Sequence, residues 1–126
     1  MKTSVDLHGN SDFGVLLNPG EKANTAGATG AAFDLAQYEG NVKVIEAVGA
    51  ATAGTLNGKI QHSHTTTTGD FVDLPGATFP ERDDTDNANS AIGVDTRACR
   101  RYIRYVGTIA TGPFDVGVIL VGQKKY

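Results

Sequence analysis

The chain has 126 residues, a formal net charge of −3 and a single cysteine, Cys99. This length predicts one domain, large enough to bury a hydrophobic core without covalent staples. One cysteine excludes an internal disulfide framework and a multi-cysteine zinc site, and the acidic balance argues against non-specific nucleic-acid binding. We also expect synthesis in a reducing cytoplasm and no membrane association, since the sequence shows no signal peptide and no apolar run of about 20 residues.

Small residues and short β-branched runs indicate the fold class. The chain contains 16 glycines and no tryptophan, and alanine and threonine are frequent. A helical bundle would need long apolar repeats at helical spacing, and none here is longer than two turns. The composition therefore predicts an all-β domain with many turns.

The first quarter of the chain is mostly polar. Met1 to Asn10 gives no core signal and predicts an arm that either lies on a neighbour or frays. Phe13 to Leu17 is a short apolar run that stops at Asn18-Pro19-Gly20, where proline presets φ and glycine accepts positive φ. Glu21 to Ala32 is rich in small residues and is interpreted as an edge strand or an extended loop.

The middle of the chain alternates strand patterns with polar segments. Asn41 to Ala51 predicts a strand that carries Val42, Val44 and Val48 on one face. Thr55 to Thr66 predicts the next strand, which has one apolar face and one polar face. Pro80 to Ser90 is acidic and irregular, so we expect a surface loop there, followed by a short strand over Ala91 to Val94.

The C-terminal stretch, Ala98 to Gly122, carries the strongest strand signal. Two β-rich runs flank a Thr111-Gly112-Pro113 turn, and the apolar face of the second run consists of Phe114, Val116, Val118 and Leu120. The opposite face of that run carries Ile119 and Val121, which indicates a strand covered on both sides. We therefore predict a hairpin in the middle of a sheet, with the rest of the chain folded around it.

An arginine-rich cluster at the start of this stretch is the candidate interface. On a regular strand, Arg100, Tyr102 and Arg104 share one face, while Arg97 and Arg101 share the other. Arginine and tyrosine are enriched at the centres of protein interfaces, so these five residues predict a protein-binding surface. Salt bridges to the chain's own acids are one alternative, and contacts to phosphate or single-stranded nucleic acid are another.

Other patterns that resemble chemical sites have simpler explanations. His62 and His64 share a strand face as two metal ligands can, but the sequence shows no third ligand near them, which favours ordinary strand histidines. Cys99 is expected to be a buried structural thiol. An acidic segment lacks the spacing of a calcium loop and is expected to be solvated; its oxygen-bearing residues are Asp83, Asp84, Asp86, Asn87 and Asn89. We predict no enzyme, no cofactor and no metal.

Three stretches together resemble a known family. They are FDLAQYEGNVKVIEAVGA (Phe33 to Ala50), GKIQHSHTTTTGDFVDL (Gly58 to Leu74) and RRYIRYVGTIATGPFDVGVILVGQKK (Arg100 to Lys125). They resemble small proteins encoded near the major capsid gene of tailed bacteriophages, which are similar to head decoration, or capsid cement, proteins. The resemblance covers most of residues 33–126 and does not extend to residues 1–32.

The resemblance implies a fold and a function. The fold is a single-domain antiparallel β-sandwich or jelly-roll-like domain over residues 33–126, preceded by an N-terminal arm and first short strand in residues 1–32. The function is that of a structural virion protein, made in the host cytoplasm, that binds the outer surface formed by the major capsid protein as a homo-trimer. A virion-displayed module that binds a glycan or the host is the alternative, and a small hydrolase or isomerase that uses His62 and His64 is a third hypothesis.

Overall fold

The computed structural model describes residues 11–85 and 88–124, and β-strands dominate them. Within these ranges a short 3₁₀ turn, Thr68–Asp70, lies between the fifth and sixth strands. The strands in chain order are β1 (Ser11–Leu17), β2 (Glu21–Lys22), β3 (Phe33–Asp34), β4 (Tyr38–Ala51), β5 (Thr55–Ser63), β6 (Val72–Thr78), β7 (Arg82–Asp83), β8 (Asn89–Asp95), β9 (Tyr102–Ala110) and β10 (Phe114–Lys124).

The strands form two antiparallel sheets that pack against each other. Sheet I has the order β1-β10-β4-β8, and β2 also pairs with β10. Sheet II has the order β3-β9-β5-β6, and β7 also pairs with β5. The predicted all-β sandwich is therefore confirmed.

β9 and β10 do not form the predicted hairpin. β9 lies between β3 and β5 in sheet II, whereas β10 lies between β1 and β4 in sheet I. The connecting turn contains two residues with positive φ, Thr111 at 64° and Gly112 at 137°, and it carries the chain from one sheet to the other. The hairpin prediction is wrong because alternation shows which face of a strand is buried but does not show which strands pair.

The N-terminal segments belong to both sheets. β1 is the edge strand of sheet I, and the predicted arm, Met1 to Asn10, lies outside the described residues. The segment between β2 and β3 runs along the free edge of β9 as an extended loop. The backbone N–H of Gly30 donates to the carbonyl oxygen of Tyr105 at 2.9 Å, and the N–H of Gly107 donates to that of Ala28 at 3.0 Å. These bonds satisfy backbone groups that an open sheet edge would leave unpaired.

The inner faces of the two sheets form the hydrophobic core. The predicted valines of β4 and the predicted apolar face of β10 both point inward from sheet I. Sheet II contributes the inward face of β9, which carries Ile103 and Tyr105. The largest apolar and aromatic side chains with almost no exposed surface are Tyr105, Phe114, Leu56, Ile60, Ile103 and Leu120.

A carboxyl group lies inside this core. Glu46 is fully buried on the inner face of β4, where its Oε2 accepts a 2.5 Å hydrogen bond from the hydroxyl of Tyr105. Among the described residues, neither Glu46 Oε1 nor Arg82 Nε has a hydrogen-bond partner, although both atoms are buried. Burial raises the pKa of Glu46, and the Tyr105 hydrogen bond and the charge of Arg82 oppose that rise only in part. Glu46 continues the alternation of Val42 and Val44, although an acidic residue is not expected in an apolar core.

Gly58 leaves the space that this pair occupies. A Cβ atom on Gly58 would collide with Oε2 of Glu46 and with the hydroxyl of Tyr105. The glycine on β5 thus allows a polar bond to cross the core between the two sheets.

We predict that Glu46→Gln reduces the pH dependence of stability. The folded-state pKa of Glu46 lies above its ordinary value of 4.5, so the folded chain keeps a proton that the unfolded chain loses. The free energy of unfolding therefore falls as the pH rises from about 4.5 through the folded-state pKa. Glutamine does not ionise and keeps an oxygen for the Tyr105 hydroxyl. The checking measurement is urea unfolding of both proteins at intervals between about pH 4 and pH 8, and a difference between them that does not change with pH would contradict the prediction.

Candidate functional site

Three of the predicted interface arginines lie together at one end of the sandwich. Arg97, Arg100 and Arg101 belong to the connection between β8 and β9 and line a concavity of about 430 Å³. The connection turns sharply because the Asp95 carboxylate accepts a 2.9 Å hydrogen bond from the backbone N–H of Arg97. The backbone N–H and hydroxyl of Thr96 both donate to the carbonyl oxygen of Gly40, which ties the connection to β4.

Arg101 is held by an acid of the same chain. Its guanidinium donates to both carboxylate oxygens of Asp34, at 2.8 and 3.0 Å, and lies 5.0 Å from the ring centroid of Tyr102. The bond from Arg101 lowers the pKa of Asp34. Arg97 is much less constrained, since its side chain is 81% exposed and its ion pair with Asp95 is 3.4 Å long.

Arg104 points elsewhere. It lies on the outer face of β9, where its guanidinium donates two hydrogen bonds, of 2.7 and 2.9 Å, to the amide oxygen of Gln61. The same guanidinium lies 4.5 Å from the ring centroid of Phe71. The cluster that the sequence presents as one surface is thus divided between the concave end of the sandwich and the outer face of sheet II. Intramolecular contacts account for Arg101 and Arg104, and a role in binding stays a prediction for all five residues.

One histidine, His62, accepts a hydrogen bond from the backbone, whereas His64 lies at the surface. The backbone N–H of Arg100 donates to Nδ1 of His62 at 3.1 Å, so this nitrogen carries no proton. Burial, together with the charges of Arg100 and His64, lowers the pKa of His62. His64 is exposed. Within residues 11–85 and 88–124, no three His, Cys, Asp or Glu side chains come together in a way that could hold a metal.

The acidic segment and the cysteine also have local explanations. One carboxylate oxygen of Asp83 accepts hydrogen bonds from the backbone N–H and the hydroxyl of Thr85, at 2.9 and 2.6 Å. Asp86 and Asn87, which were named with it, lie outside the described residues. Burial raises the pKa of the half-buried Cys99 thiol, and the nearby charge of Asp95 raises it further, so the reactive thiolate is disfavoured.

The outer faces of the two sheets differ in character. Sheet II has a polar outer face, on which the Asp73 carboxylate accepts from Lys59 at 3.2 Å and from Gln61 at 2.9 Å. Sheet I has an apolar outer face, where Phe13 is 69% exposed and Val15 is 43% exposed. The apolar residues Ile119 and Val121 predict that β10 is covered on both sides, but none of the described residues forms a layer over this outer face. The outer face of sheet I is therefore a second candidate surface. The alternating pattern of β10 showed that this face is apolar but did not show that it is left uncovered.

Compared with known proteins, the chain matches no family model and no curated protein sequence. In the part of the chain that the structure describes, no helix combines the length and the apolar character that a bilayer crossing requires.

We predict that two arginine substitutions affect stability to different extents. Arg97→Ala removes a mostly exposed side chain and should change the free energy of unfolding by less than about 0.5 kcal/mol. Arg104→Ala removes two hydrogen bonds and an aromatic contact and should cost about 1 to 2 kcal/mol. Urea unfolding of both variants beside the wild type checks this, and equal stabilities for the two variants would be contrary to it.

Proposed function

We propose that this chain is a structural protein that decorates the outer surface of a tailed-phage head by binding the major capsid protein and stabilising contacts between capsomers. The observation that carries the proposal is the concave end of the sandwich, which is lined by Arg97, Arg100 and Arg101. The resemblance to head decoration proteins agrees with it.

The arginine-lined end suits a partner that presents carboxylates. Among the described residues, the side chain of Arg100 makes no ion pair, and Arg97 makes only its long, exposed one with Asp95. A guanidinium binds a carboxylate through two parallel hydrogen bonds, which gives direction as well as attraction. We therefore expect the matching patch on the capsid protein to be acidic.

Decoration needs only modest affinity at each contact. A protein that binds the assembled shell better than its separate parts shifts the equilibrium toward the shell. Many copies arranged by the symmetry of the shell multiply weak contacts into strong adhesion. A rigid β-sandwich fits this role because little conformational entropy is lost when a preformed surface binds. The homo-trimer that the resemblance implies stays a prediction.

The proposal is tested with phage heads that lack the protein. Purified wild-type protein should bind these heads and increase their resistance to heat and to low salt. Arg97→Glu/Arg100→Glu should reduce binding by roughly a hundredfold, since it replaces two attractive charges with two repulsive ones. Lys22→Glu/Lys59→Glu makes the same change in net charge away from this end, since Lys22 pairs with Phe114 at the opposite end of β10 and Lys59 lies on the outer face of sheet II, so this variant should bind like the wild type.

Three results would decide against this account. If the wild-type protein does not bind heads, or if decorated and bare heads lose integrity under the same conditions, the decorating role is wrong. If the two double variants bind equally well while both remain folded by circular dichroism, the arginine-lined end is not the binding surface.

A further inference from the structure

The outer face of sheet I is arranged in rows that run across its strands. Residues paired in an antiparallel sheet point to the same side, so the register defines each row. In the central row, Val15 pairs with Ile119, Ile119 with Ile45, and Ile45 with Ala91. Every member of this row is apolar.

The row on one side of the centre is bulky. It contains Phe13, Val121, Lys43 and Gly93 in register. Phe13 is the most exposed large apolar side chain of the described residues, and Lys43 is also exposed. This row forms an apolar ridge that carries one positive charge.

The row on the other side is small. Gly117 pairs with Ala47 and Ala47 pairs with Asn89, and the ring of Pro19 lies against Gly117. These residues line a concavity of about 660 Å³. Just beyond them lies the exposed pair of Asp115 and Glu21, so the hollow ends in negative charge.

We propose that a second copy of this chain packs on this face, related by a two-fold axis that runs along the central row. Rotation about that axis places the bulky row of each copy over the small row of the other. Phe13 then meets the Pro19 side of the partner's hollow, and Val121 meets the partner's Gly117. Lys43 points toward the partner's Asp115 end. The rows are therefore complementary to themselves in shape, and Lys43 of each copy lies toward the acidic end of its partner.

The size of the face fits a stable pair. The four strands β1, β10, β4 and β8 have 7, 11, 14 and 7 residues, and at about 4.8 Å between strands and about 3.4 Å rise per residue they give on the order of 600 Å² per copy. A pair buries about twice that area, which exceeds the roughly 1,000 Å² expected of a specific interface. The layout also fits, because the apolar centre is bordered by polar groups, as in known interfaces. Two sheets that pack in this way lie about 10 Å apart, with their strands within about 30° of antiparallel.

This arrangement makes a dimer, whereas the resemblance implies a trimer. A patch that binds its own copy across a two-fold axis is satisfied by one partner, whereas a three-fold ring needs two different patches that fit each other. The rows of sheet I form a patch that fits its own copy, which is the kind that makes a dimer. The two-fold face includes none of the arginine-lined surface, so the dimer does not depend on capsid binding.

The test is the mass of the purified chain in solution, measured by size-exclusion chromatography with light scattering at several concentrations. The expected mass is twice the 13.1 kDa of one chain. Val15→Glu places a charge in the central row and should raise the dissociation constant of the dimer by at least roughly tenfold. Val72→Glu is the matched control, because Val72 is 46% exposed but lies on β6 of sheet II, and it should remain dimeric.

A charge exchange tests the orientation of the two copies. Lys43→Glu and Asp115→Lys should each weaken the dimer, because each places like charges near one another across the two copies. The double variant should restore the dimer, because position 43 is then negative and lies toward a positive position 115 of the partner. A wild-type monomer or trimer would overturn the proposal, as would a dimer that Val15→Glu leaves intact. A double variant weaker than both single variants would overturn the two-fold arrangement.

Discussion

A sandwich of two sheets buries only one face of each sheet, and this constraint determines the character of the whole surface. Each outer face must either be polar or be covered by something else. Sheet II meets the first condition, since Lys59, Gln61 and Asp73 form a hydrogen-bonded group on its outer face. Sheet I does not, because Phe13 and Val15 expose large apolar side chains there. The difference between the two faces suggests that the molecule is complete only when another molecule covers sheet I.

The core is built to hold the sheets in one fixed arrangement. Glu46 of sheet I and Tyr105 of sheet II form a buried hydrogen bond, for which Gly58 leaves the space. A buried polar pair is satisfied only when its two members meet, so it opposes slippage of one sheet over the other, whereas apolar contacts alone tolerate small shifts. A fixed arrangement of the sheets also fixes the shape of the concave end, because Tyr38 and Gly40 line it from sheet I and Leu35 and Arg101 line it from beside sheet II.

Alternation in the sequence predicts strands and buried faces well, but it does not predict strand partners. The valines of β4 and the inward faces of β9 and β10 follow from period-two spacing, because a side chain's face depends only on local backbone geometry. The hairpin prediction was wrong because pairing depends on contacts distant in sequence, and the Thr111–Gly112 turn sends β10 to the other sheet. Among the candidate site residues, spacing alone could not separate Arg104, which contacts Gln61 on the neighbouring strand β5, from the arginines at the concave end. Glu46 was missed because a carboxylate is not expected in an apolar core, although its position in the alternation was visible.

The most direct measurement of the central claim, that the apolar face of sheet I is covered in the working protein, is hydroxyl-radical footprinting of the purified chain. The rate of modification of Phe13 in the native protein is compared with its rate in the unfolded protein. A single uncovered chain leaves this side chain 69% exposed, so its native rate would be close to the unfolded rate. The account predicts strong protection of Phe13, and a native rate near the unfolded one would contradict it.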